Sequence, residues 1–250
     1  MAGDEPRDGG ASEPAGGIES LYPFLYAGAT DLDAVLDQVR ASTAAKVNEI
    51  IALRQAVAAR DGGRLARCAE QLAAALAAGA RLFAFGNGGS ATDAQQLATL
   101  FLNPGGDARP LPALALANDT SVVTALCNDI GVEVVFARQI AAFGRRGDIA
   151  VGLSTSGNSE NLLRAFDEAS RRGMMTIGLA GYDGGKMAEL DSIDYLFVAP
   201  TSSVHRIQEA QTTTYHVLWE LTQVALAPTA AATRLSDKRE GVCRVPWHSR

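Results

Sequence analysis

Two short loops rich in glycine and serine constrain this chain more than anything else in it, because each leaves an apolar strand and opens a helix. The first is Gly86-Asn87-Gly88-Gly89-Ser90, following Arg81-Leu82-Phe83-Ala84-Phe85. The second is Ser154-Thr155-Ser156-Gly157-Asn158-Ser159, following Asp148-Ile149-Ala150-Val151-Gly152-Leu153. A strand-to-helix turn of small residues leaves backbone N–H groups unpaired and aims them, with the helix dipole, at one point. Such a point favours an anion. Glycines let a ligand approach the backbone, and hydroxyls add donors on rotatable stems. Two loops of this kind point to a phosphorylated small molecule held at the strand ends of a parallel sheet.

The rest of the chain supplies the layers such a sheet needs. Strands are expected at 81–85, 113–116, 149–153, 175–179 and 195–198. Helices are expected at 90–102, 120–128, 132–143, 159–172 and 203–226. Alternation of this type implies a parallel sheet covered on both faces. Ahead of it, a helix capped by Thr30 or Asp31 is expected to run to about Arg60, with a second over 62–78. Residues 1–17 and 228–250 read as disordered ends around a single domain spanning 18–227. Of 250 residues 47% are hydrophobic and 20% charged, a globular balance. A net charge of −6 argues against nucleic acid as a partner. The three cysteines form no close pair, and the start of the chain has no basic, apolar leader, so a reducing, cytoplasmic setting is expected. No apolar run reaches membrane-spanning length, and no membrane partner is expected.

Other motifs fit less well. Gly86–Ala91 satisfies the G-x-G-x-x-G/A dinucleotide pattern, but no acidic residue ends the next strand at the expected distance, and the pattern leaves the second loop unexplained. Gly184-Gly185-Lys186-Met187 lacks the spacing and hydroxyl of a P-loop. Gly152-Leu153-Ser154-Thr155-Ser156 has serine where a nucleophile elbow needs its final glycine. Asn118-Asp119-Thr120-Ser121 reads as a helix cap, and secondarily as a hydroxyl-binding motif. Gln208 and His216 lie eight residues apart, about two turns, on one face of the last helix.

Taken together, these blocks resemble the sugar isomerase (SIS) domain family in its phosphoheptose isomerase branch. The likeness covers roughly 45–225, including Asn128-Asp129, Gly181-Tyr182-Asp183-Gly184-Gly185-Lys186-Met187 and Arg206-Ile207-Gln208-Glu209. It implies a three-layer α/β sandwich, a five-stranded parallel sheet with helices on both faces, and a homotetramer with sites shared between subunits. It implies that Ser154, Thr155, Ser156 and Ser159 hold a phosphate. Asn87, Gly88, Ser90, Asp119 and Gln208 would then meet the sugar oxygens.

Isomerases of this branch interconvert sedoheptulose 7-phosphate and a heptose 7-phosphate by moving a proton between C1 and C2 through an enediol. The likeness assigns His216 as one member of the acid–base pair. The other member, a glutamate in the family, falls on Leu100. A metal-binding histidine falls on Gln96, and an arginine near the phosphate falls on Pro104. Leucine moves no proton. The family's zinc ligands are thus mostly missing, and no cofactor is expected. Three readings stay open: a phosphosugar binder without chemistry, an isomerase with a substitute carboxylate such as Glu209 or Asp119, and a tetrameric protein-interaction scaffold similar to the replication initiator-associating protein.

Overall fold

Five apolar strands set the architecture. In the computed structural model, which describes residues 32–227, a long helix α1 (Leu32–Ala77) precedes β1 (Leu82–Gly86) and α2 (Gly89–Leu102). There follow β2 (Ala113–Ala115), α3 (Thr120–Ile130), a 3-10 turn (Val132–Val134) and α4 (Val135–Phe143). Then come β3 (Ile149–Leu153), α5 (Glu160–Arg171), β4 (Met175–Gly181), a second 3-10 turn (Gly185–Glu189), β5 (Tyr195–Ala199) and α6 (Val204–Leu226). The described residues fall into two units divided after Asn48, the first holding the start of α1 and the second everything from Glu49 onward. The expectations for 1–17 and 228–250 lie outside the described residues. No described helix is long and apolar enough to cross a membrane.

In the second unit all strands run parallel in the order β2-β1-β3-β4-β5. β1 and β3 are buried along their whole length, as strands covered on both faces must be. Alternate side chains serve opposite layers. Leu82 and Ala84 pack with Leu72, Leu97, Phe101, Tyr215 and Leu218 on one face. Phe83 and Phe85 pack with Phe136, Ile140, Leu162 and Phe166 on the other. A Cβ on Gly152 would stand 2.5 Å from the Phe166 ring and 2.8 Å from Phe85, so these rings close over bare backbone.

The two helices expected before the sheet are one. Gly62 and Gly63 do not break α1, although each costs about 1 kcal/mol against alanine. Neither removes a backbone donor as proline would, and the turn containing them is anchored from inside. Asp61, 1% exposed, pairs with Arg60 at 2.5 Å and Arg64 at 3.3 Å. Arg60 also donates to the Val198 carbonyl, and Arg64 lies over the Phe197 ring. Leu65, Cys68 and Leu72 bury the same helix against the sheet.

A second buried carboxylate, Asp148, ties the starts of β1 and β3 together. It accepts from the Arg81 backbone at 2.9 Å, the Arg81 guanidinium at 2.6 Å and the Arg145 backbone at 3.0 Å. Removing such a buried partner leaves donors stranded, so Asp148→Ala is expected to lower stability by about 3 kcal/mol. Chemical denaturation checks this; a change below about 1 kcal/mol would show that the donors find other partners.

Candidate functional site

The strand order places the site. β1 and β3 are neighbours, yet β2 lies on the far side of β1 and β4 on the far side of β3. Connections that diverge in this way leave a crevice beyond the strand ends, where open α/β sheets bind ligands. Both glycine–serine loops open onto it, since Gly86 pairs with Leu153 in register. Gly86 is required there by close approach: a Cβ would meet the Ser90 carbonyl at 2.6 Å and that of Leu153 at 2.9 Å.

Reciprocal hydrogen bonds lock the loops to each other. The Asn87 amide donates to Asn161 and accepts from it, both at 2.9 Å, joining the start of α2 to the first turn of α5. Gly88, at φ +54°, caps α2 without a side-chain acceptor, and Ser159 caps α5 in the same way. Two helix N-termini therefore present backbone donors at adjacent points, with their dipoles favouring negative charge.

The second loop is held rigid from behind. Gly157, at φ +68°, lies so close to the Gly184 carbonyl that a Cβ would come within 1.9 Å of its oxygen. The Gly157 N–H donates to Ser154 Oγ at 3.0 Å, and the Asn158 N–H donates to Ser156 Oγ at 3.3 Å. Asn158 in turn accepts from the Lys186 backbone at 2.9 Å. Using these hydroxyls as acceptors leaves their hydrogens for an anion to accept. Ser154 and Ser159 oxygens stand 3.4 Å apart. Ser154, Thr155, Ser156 and Ser159 thus share one turn, with Asn87, Gly88 and Ser90 on the neighbouring one.

Helix α6 closes the crevice from the side. The buried Gln211 donates to the Ser154 carbonyl at 3.2 Å. Gln208 lies over Gly89, its Nε2 within 2.3 Å of where a Cβ would stand. Farther along, the Tyr215 hydroxyl donates to Gln96 at 3.2 Å, and the exposed His216 stacks on the Tyr215 ring at 5.1 Å. Leu100 is half-buried and packs against the α1, α2 and α6 core. Asp119 stands at the end of β2, where its carboxylate caps α3 through the Val122 N–H at 3.0 Å. Glu209 pairs with Arg206 at 2.9 Å.

A wider cleft of about 570 Å³ adjoins the loop on the β4 and β5 side, lined by Ser156, Asn158, Tyr182, Asp183 and Thr201. Tyr182, at φ +53°, is the one non-glycine with positive φ among the described residues. Its N–H is anchored on the Thr201 carbonyl at 3.2 Å.

Four residues in this arrangement escaped the sequence reading: Asp93, Asn161, Gln211 and Tyr215. Asn161 and Asp93 carry a faint signal, as polar residues early in helices that open anion loops. Gln211 and Tyr215 carry none, because their partners come from distant segments. The side chains at the positions the resemblance singles out suit zinc poorly. Gln96, Gln208 and His216 offer two neutral amides and one imidazole, where zinc sites use thiolates, imidazoles and carboxylates. His205 and Glu209, and His216 and Glu220, are spaced four apart on α6, but no group of three metal-binding side chains occurs among the described residues.

Burial pushes the Asp93 carboxyl above its ordinary value, with the Gln208 side chain acting in the opposite direction. Burial likewise raises Tyr215, helped by the nearby Asp93 charge. A carboxyl raised on folding adds stability that is full below about pH 4 and lost as pH rises through its folded value. The melting temperature of the protein minus that of Asp93→Asn should therefore grow as pH falls from 7 toward 4. A difference that stays flat over this range would place Asp93 in contact with water.

Comparison with known proteins identifies the family. Residues 47–181 match the family described as SIS domain. The phosphoheptose isomerase of Desulfovibrio desulfuricans is 46% identical over 181 residues, 72% of this chain and 85% of its own length. That of Geobacter sulfurreducens is 40% identical over 195 residues, 78% of this chain and all of its own. Among solved structures, phosphoheptose isomerase GmhA from Neisseria gonorrhoeae superposes with a TM-score of 0.69 at 36% identity, covering 74% of this chain and 99% of that one.

Proposed function

Because the chain belongs to the SIS-domain family, in its phosphoheptose isomerase branch, we propose that it binds a sugar phosphate of the sedoheptulose 7-phosphate class. The phosphate sits on the Ser154–Ser159 turn, and the sugar reaches across Asn87, Gly88 and Ser90 toward Gln208 and Asp119. The observation that carries this reading is the pair of uncapped helix N-termini side by side at the β1/β3 crevice. Their donors are fixed before ligand arrives, so little ordering entropy is lost on binding.

Chemistry by the family's acid–base pair is absent or greatly reduced. His216 is exposed on α6, but the other position is Leu100, which serves the core. The two carboxylates weighed as substitutes are engaged elsewhere, Asp119 in capping α3 and Glu209 with Arg206. A positioned base contributes roughly 10²–10⁴-fold, and this is the share that is lost.

Calorimetry with sedoheptulose 7-phosphate tests the binding. Ser156→Ala and Ser159→Ala should each weaken it about tenfold, the worth of one charge-assisted donor. Unchanged affinity in both variants would put the anion site elsewhere.

Exchange of the C1 proton with deuterated water, followed by NMR, tests the chemistry. The protein should give negligible exchange, with or without zinc. Leu100→Glu with Gln96→His should raise it if His216 faces the same pocket. Robust exchange that survives loss of His216 would mean that another residue does the work.

The same reading makes the protein a homo-oligomer, a tetramer as the resemblance implies. Val35, Leu36, Val39, Val47 and Ile51 of α1 are all exposed, an apolar stripe that water disfavours. Light scattering should give about four times 26.1 kDa, whereas a single 26.1 kDa species at micromolar concentration would exclude self-assembly.

A further inference from the structure

We infer that Lys186 is the cation of the phosphate site, its ammonium pairing with the phosphate that the Ser154–Ser159 turn receives. The inference rests on the sugar-phosphate reading above and adds to it a charged residue from the loop of a different strand.

The groups assigned to that turn are all neutral donors. Ser154, Thr155, Ser156, Ser159 and the first backbone N–H groups of α5 carry no net charge, and Asp119 across the crevice is an acid. A phosphate monoester carries about −1.5 to −2 charges near neutral pH, whereas two helix N-termini supply about +0.5 each. Roughly one negative charge is left for a side chain to meet.

The arginines beside the two loops are already engaged. Arg164 pairs with Glu160 at 2.8 Å, and Arg206 pairs with Glu209 at 2.9 Å. Lys186 is exposed, and its side chain makes no hydrogen bond or ion pair among the described residues. It is also the one lysine of the second unit among those residues.

The main chain around Lys186 is fastened to the phosphate turn. Its own N–H donates to Asn158 Oδ1 at 2.9 Å, and the Met187 N–H donates to the Gly157 carbonyl at 3.0 Å. Gly185 presses on the same turn, for a Cβ there would stand 2.4 Å from the Ser156 carbonyl oxygen. Met187 is 1% exposed and packs into the core, which fixes the 3-10 turn and leaves Lys186 at its rim. From that anchor a flexible four-carbon stem carries the ammonium, which meets phosphate as a point charge and needs no fixed fork geometry. Gly184-Gly185-Lys186 fails as a P-loop by its spacing, yet the parts of one are present. The loop after β3 gives the backbone donors, and the loop after β4 gives the lysine.

Calorimetry on the full chain tests this, with sedoheptulose 7-phosphate and inorganic phosphate titrated in parallel over a range of salt concentrations. Lys186→Gln should weaken both about tenfold, the worth of one charge-assisted contact. It should also flatten the fall of affinity with salt, because a screened charge pair has been removed. Lys186→Arg should recover most of the affinity and the salt dependence. Equal affinities for Lys186→Gln and the unmodified protein overturn the inference. So does a loss of affinity with an unchanged salt dependence, which would mark a structural role. If the unmodified protein binds inorganic phosphate but not the sugar phosphate, the sugar-phosphate reading fails alone, and the inorganic phosphate titrations still decide Lys186. Binding of neither overturns both.

Discussion

The pairing of β1 with β3 is the constraint on which the rest of the structure depends. Because these strands are neighbours with Gly86 opposite Leu153, the helices that follow them must start side by side. Two helix dipoles that repel each other at their positive ends are held together by the sheet register beneath them and by the Asn87–Asn161 amide pair above. An anion relieves that repulsion. Gly152 shows how little slack exists below, where Phe85 and Phe166 meet over its bare backbone.

Three buried carboxylates divide the work of holding the molecule. Asp61 steadies α1 where two glycines would weaken it, and Asp148 staples the beginnings of β1 and β3. Both sit away from the crevice and are surrounded by donors. Asp93 sits at the crevice, buried and with its Oδ2 unpartnered. Stability is concentrated where the chain needs anchoring, while the unpartnered carboxylate oxygen lies at the crevice.

Much of this was legible in the sequence because the strands are short apolar runs bounded by glycine or charge. Leu82–Gly86 and Ile149–Leu153 fall where the pattern puts them, and α2 ends at Leu102 as expected. β4 runs two residues past the expected end because Ala180 and Gly181 continue to pair with β5. The break expected in α1 fails because local propensity is a small term against the burial of Leu65, Cys68 and Leu72 and the pairing of Asp61. The two loops could be read because their turns depend on backbone geometry that glycine and serine advertise. Asn161 and Gln211 could not, since each matters through a partner that only the folded chain brings near. Leu100 is legible in two ways: the resemblance marks it as a missing glutamate, and the structure shows it as part of the core.

The Asn87–Asn161 pair has a consequence for how the protein ages. Asparagine followed by glycine is the sequence most prone to lose its amide nitrogen, because the next backbone nitrogen attacks the side-chain carbonyl and glycine offers no steric obstruction. Asn87 is followed by Gly88. Its side chain must surrender both hydrogen bonds to Asn161 before that attack is possible, so the contact that aligns the two loops also protects them chemically. Once the amide is gone, a carboxylate stands beside two helix N-termini whose dipoles favour negative charge. The damaged chain would keep its fold while its own side chain competes with any anion drawn to those N-termini.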